Sequence, residues 1–179
     1  MPAGVRCPGC EAIVPDLPEL RTDHLYVGAA PGCWATYTEL IGRQMADPGL
    51  FESRMLSVDV YMAQHTGVPG RQSSQSVWGH LIGLYLVFER GYDGIASARA
   101  KARVATPEAT FEWLEPPASM GPITVLDVLA TTTADEHGAA DEHGAAVGRW
   151  AASVWAAWAP HQGAVRTRAD AAVDRRHGR

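Results

Sequence analysis

The sequence predicts an all-α protein, a compact helical bundle behind an irregular, cysteine-bearing N-terminal segment. Three observations carry this reading. Apolar residues recur with a period near 3.6 in several stretches from Trp34 onward. Turn sequences such as Asp47-Pro48-Gly49 and Gly67-Val68-Pro69-Gly70 separate those stretches. Alternating apolar and polar residues, the mark of a half-buried strand, are scarce. At 179 residues and 46% hydrophobic content, the chain is long enough for one domain with a real core.

Residues 1–33 read as loop, with turns at Pro8-Gly9 and Pro31-Gly32, and hold all three cysteines. Tyr37, Leu40, Ile41 and Met45 mark a first helix from Trp34, stopped by Asp47-Pro48-Gly49. A second helix is expected from about Phe51 to Thr66. A third starts at Ser73 or Ser74 as N-cap and runs to Arg90, with Gly91 in the C′ position. The stretch 92–123 is mixed, with short helices near Ile95–Arg103 and Pro107–Leu114 before the Pro116-Pro117 break. Thr124 caps a helix from Val125 to about Thr131. A tandem duplication of Ala-Asp-Glu-His-Gly-Ala follows at 134–145, read as an extended helix start or a loop. Its His137 and His143 stand at i, i+6, on different helix faces, which disfavours a shared metal. The last long helix, Val147 to Trp158, ends at Pro160, and its Trp150, Val154, Trp155 and Trp158 read as core. The domain is drawn as 1–166, with 167–179 a basic tail expected to fray.

A net charge of -5 argues against a general nucleic-acid binder, which needs a concentrated basic face. No apolar run approaches the length of a membrane span, and the first ten residues lack a secretory pattern. A cytoplasmic setting is therefore expected, where thiols stay reduced; three cysteines, an odd number, also argue against a disulfide framework.

Cys7-Pro8-Gly9-Cys10 has the spacing of a knuckle whose two thiolates grip one tetrahedral ion. Pro8 fixes φ and Gly9 tolerates positive φ, as a tight turn requires. A redox dithiol would more usually follow a strand and open a helix. Cys33, in a second turn before the first helix, supplies a third sulfur. Zn²⁺ is the expected ion, and three sulfurs leave one corner for a nitrogen.

The short connection between the second and third helices makes them an antiparallel hairpin, in which residues whose numbers sum to about 139 lie level. Asp59 and His80 satisfy that sum. Asp59 shares a stripe with Met55 and Met62, and His80 shares one with Val77 and Leu84, so both point into the seam. A buried carboxylate requires a partner, and His80 is the nearest on offer. The pair is read as a satisfied core contact, as an Asp59-oriented His80 that ligates zinc, or as a general base. His80 is taken as the fourth ligand with Cys7, Cys10 and Cys33. His65, at the end of the second helix, is the competing ligand and otherwise shares acid/base work with Asp59. Gln64, Gln72 and Gln75 nearby offer neutral hydrogen bonds.

The segments Cys7-Pro-Gly-Cys10, Pro31-Gly-Cys-Trp34, Val58-Asp-Val-Tyr-Met-Ala-Gln-His65 and Gln75-Ser-Val-Trp-Gly-His-Leu81 together resemble an uncharacterised bacterial family. It is common in actinomycetes and known only as a domain of unknown function. Phe111-Glu-Trp-Leu-Glu-Pro-Pro117 and the tryptophans of the last helix are similar too, so the resemblance spans about 7–166. It implies no activity, only that the cysteines, Asp59, His65 and His80 belong to one site.

Two functions follow. The first is a zinc enzyme of small-molecule metabolism, conceivably a tailoring step in a biosynthetic pathway, although a thiolate-rich site is a poor Lewis acid for hydrolysis. The second is a non-enzymatic module that binds a small molecule or a protein and uses zinc structurally.

Overall fold

A computed structural model of the chain describes residues 4–20, 26–104, 109–133 and 139–174. The described residues are mostly helical but not strictly all-α. Strands β1 (Gly4–Arg6) and β2 (Ile13–Pro15) form an antiparallel hairpin with Val5 opposite Val14. The helices are α1 (Pro31–Ala46), α2 (Arg54–Gln64), α3 (Arg71–Phe88), α4 (Gly94–Val104), α5 (Val125–Leu129), α6 (Ala139–Ala157) and α7 (Gln162–Asp174). No helix among the described residues is long and apolar enough to cross a membrane.

Helix α1 opens with proline in its first turn, where the missing N–H costs nothing. Helix α3 is the central element, packed against α2, α4, α6 and α7. Its Val77, Trp78, Leu81, Ile82, Leu84 and Leu86 are all buried, each large aliphatic side chain contributing about 1.5–3 kcal/mol of burial. Trp150 of α6 and Trp158, just past its end, are fully buried and still find acceptors. Trp150 Nε1 donates to Gln64 Oε1 at 2.9 Å and Trp158 Nε1 to the Ala63 carbonyl at 3.1 Å. These bonds fix the C-terminal turn of α2.

Three expectations change. Residues 109–114 are not helical. Their carbonyls are taken by side chains from elsewhere, Thr110 by Arg168 at 2.7 Å and Glu112 by Trp78 Nε1 at 2.9 Å, and Phe111 packs on Trp78. An extended strap leaves those acceptors free and a helix does not. The helix expected from Val147 starts eight residues earlier, at the last residue of the first copy of the duplication, and takes in the whole second copy; His137, in the first copy, lies outside the described residues. Finally, the basic tail does not fray from 167. Helix α7 continues to Asp174 with Val165 and Ala169 buried, and Arg166 pairs with Glu89, the C-cap of α3.

Candidate metal centre

The N-terminal segment folds back onto the C-terminal end of α2. An isolated bridge joins Val27 to Thr66, and the Gly28 N–H donates to the His65 carbonyl at 3.0 Å. The knuckle between β1 and β2 is closed by two backbone bonds, Glu11 N–H to Cys7 O and Cys7 N–H to Ala12 O, both 2.9 Å. Its left-handed residue is Glu11 (φ 62°), not Gly9. Gly9 is needed for space instead. A Cβ there would lie 2.5 Å from His65 Cδ2 and 2.8 Å from the Gly28 carbonyl, so any side chain would push the knuckle off the histidine.

This convergence gathers Cys7, Cys10, Cys33 and His65, whose ligand atoms all lie within 4.8 Å of one another. Cys10 Sγ is 3.8 Å from Cys33 Sγ, and Cys33 Sγ is 3.3 Å from His65 Nε2. Two sulfurs at tetrahedral angles on zinc, each about 2.3 Å from it, stand about 3.8 Å apart. The donor set and its spacing therefore fit a tetrahedral ion. The surrounding groups fit it too. The His65 ring Nδ1–H donates to the Tyr61 carbonyl at 2.8 Å, which leaves the Nε2 lone pair for a metal. The Ala30 N–H reaches Cys7 Sγ at 3.4 Å and the Tyr61 hydroxyl reaches Cys33 Sγ at 3.6 Å. The Tyr61 ring stacks on His65 at 4.0 Å and on Tyr37 at 3.9 Å, sealing that side.

All four residues are buried, and Cys7, Cys33 and His65 have no exposed surface. Without a cation they compete for protons. Hydrogen bonds with Cys10 and then Cys33 hold the Cys7 thiol far below the ordinary range, whereas Cys10 and Cys7 push Cys33 far above it. Burial alone would lower His65, but its contacts with Cys10 and Cys7 prevail and raise it to about 9. Burial, with Cys33 beside it, pushes the Tyr61 phenol up, so it stays a donor.

The residue gathered with the three sulfurs is thus His65 and not His80. His80 pairs at the middle of α2, where its Nδ1–H donates to Asp59 Oδ1 at 2.8 Å, and the Lys101 ammonium donates to the same oxygen. The hairpin register brings Asp59 and His80 together as the sequence indicates. It cannot tell which end of α2 the N-terminal segment meets. The six polar residues form two clusters rather than one. Lys101, from α4, has no signal in the sequence. Gln64 is structural, since its amide N–H groups hold the Met120 and Ile123 carbonyls. His161 hydrogen-bonds the Glu115 carbonyl at 2.9 Å. His143 is buried between Gln44 and Thr131.

A model described as a family of unknown function, DUF5946, matches residues 5–159. The chain belongs to that family. The DUF5946 segment contains every member of both polar clusters and leaves α7 outside it. No curated protein and no solved structure matches the chain.

Proposed function

We propose that this member of DUF5946 is a zinc-binding protein in which Cys7, Cys10, Cys33 and His65 hold one Zn²⁺ in a closed, structural site. The observation that carries the proposal is the burial of three thiols and an imidazole whose donor atoms lie within 4.8 Å of one another, the ring Nδ1–H being held by a carbonyl. Three thiolates and a neutral imidazole suit Zn²⁺ better than the harder Mg²⁺ or Ca²⁺. Four protein ligands leave no corner for water or substrate, and this favours the structural role over a zinc enzyme. His65 then does no acid/base work, because a metal and the Tyr61 carbonyl occupy both ring nitrogens. The ion would tie the β1–β2 hairpin, the start of α1 and the end of α2 into one unit, and its binding free energy becomes folding free energy.

The test is elemental analysis of purified wild type beside Cys33→Ala, His65→Ala and His80→Ala. About one zinc per chain is expected in the wild type and in His80→Ala, with most of it lost in the other two. Zinc lost from His80→Ala but kept in His65→Ala would reverse the ligand assignment. A metal-free wild type that folds normally and gains nothing from added zinc would end the proposal.

A further inference from the structure

The proposed metal makes no use of Asp59, at the middle of α2. Asp59 is 2% exposed. Its Oδ1 accepts from both His80 and Lys101, and its Oδ2 lies so close to α3 that a Cβ on Gly83 would stand 2.1 Å from it. A buried carboxylate needs a compensating charge, and Lys101 supplies it. The imidazole is not required for that balance. What the contact gives His80 is orientation. A carboxylate only accepts, so Nδ1 carries a ring proton, and in the neutral ring Nε2 is left with its lone pair.

That lone pair has no hydrogen-bond partner among the described residues. The His80 side chain is 20% exposed, and it lines an open cleft of about 330 Å³ together with Tyr26, Gln72, Gln75, Ser76 and Gly79. None of these six side chains carries an obligate charge. Ligand sites commonly combine a modest concavity with a few fixed polar groups, one of them oriented from behind.

We propose that this cleft is a second site, separate from the cysteine cluster, that binds a neutral small molecule through a hydroxyl or amide N–H presented to His80 Nε2. The amides of Gln72 and Gln75 pair with further polar groups of the ligand. Asp59 and Lys101 are positioning residues that act through His80. An anionic ligand fits worse, because none of the described lining residues carries a fixed positive charge and the Lys101 ammonium behind the imidazole is already paired with Asp59.

Nitrogen NMR of zinc-loaded, full-length protein with labelled histidine tests this directly. The ligand-free spectrum is expected to show His80 protonated at Nδ1. Titration with myo-inositol and with N-acetylglucosamine, as neutral donor-rich probes, is expected to shift the Nε2 signal saturably. Ribose 5-phosphate should bind at least ten-fold more weakly. Gln75→Ala, a change at the rim, should weaken binding several-fold with zinc content unchanged. Asp59→Asn, where it folds, should loosen the tautomer and weaken binding about ten-fold, the loss of one oriented, charge-assisted hydrogen bond. A proton on Nε2 in the free protein overturns the proposal. So does the absence of a saturable His80 shift with either neutral probe, or tighter binding of the phosphate. A merely structural Asp59–His80 pair would keep its tautomer and show no shift.

Discussion

The C-terminal end and the middle of α2 carry two polar clusters built on opposite terms. At the C-terminal end, His65 has no exposed surface, its Nδ1 is held by the Tyr61 carbonyl, and its Nε2 faces three sulfurs. One turn and a half back, Asp59 is equally buried but the histidine it orients reaches an open cleft. Both histidines have a fixed tautomer, and in both Nδ1 is the nitrogen that is tied down. They differ in what Nε2 meets. A lone pair enclosed with thiolates suits holding a cation, whereas a lone pair facing solvent suits reversible contact with a ligand. Burial of the acceptor nitrogen, more than the identity of its orienting partner, separates the two roles.

The sharpest way to break this comparison is to remove the proposed metal. Chelation by a strong competitor should lower the unfolding free energy by about 4 kcal/mol or more, the amount contributed by a ligand at a thousand times its Kd. For a chain of this size that corresponds to a drop of roughly 10 °C in melting temperature. The Asp59 cluster should survive mild chelation locally, with His80 keeping its proton on Nδ1. Calorimetry with and without chelator measures the first effect and histidine NMR the second. Equal collapse of both clusters would show that they form one unit and not two.

A smaller effect tests how closely the Asp59 cluster is packed. Gly83→Ala places a methyl group 2.1 Å from the Asp59 carboxylate, on a face where α2 and α3 are already in contact. Relief requires the helices to part or Asp59 to leave its partners, a cost of about 3 kcal/mol for overpacking at a buried polar contact. Gly42→Ala, in α1, meets nothing within 4 Å and should be neutral or stabilising by about 0.5–1 kcal/mol from helix propensity. Urea unfolding of the two variants gives both numbers. A harmless Gly83→Ala would mean that α2 and α3 are not held at this distance.

Much of this architecture was legible in the residues. Periodicity and turn chemistry located α1, α2, α3 and α5 to within a few residues, and the hairpin register brought Asp59 to His80. The knuckle and third thiol were legible because C-x-x-C spacing is a local signature of tetrahedral ligation. The choice between His65 and His80 was not. It depends on the Val27–Thr66 bridge, a single pairing between residues 39 positions apart that carries no periodic signal. The same reason hid Lys101 and the non-helical strap at 109–114. Local preference favoured a helix there, and side chains from α3 and α7 claimed its carbonyls.

A third histidine sharpens the comparison with the least energy at stake. His143, in the second copy of the duplicated unit, is buried. Its Nδ1–H donates to Thr131 Oγ1 and its Nε2 accepts from the Gln44 amide, both at 2.8 Å. Both nitrogens are satisfied only in the neutral ring, and burial lowers its pKa from the ordinary 6.5. Below 6.5 the unfolded chain takes up a proton that the folded chain refuses, so this contribution to stability falls with pH and is level above that value. The gap in urea midpoint between zinc-saturated wild type and His143→Gln should therefore narrow as pH drops from neutrality toward 5. A gap that stays constant across that window would mean that His143 charges in the folded state as readily as in the unfolded one. The Gln44–His143–Thr131 arrangement would then have to reorganise to admit a second ring proton.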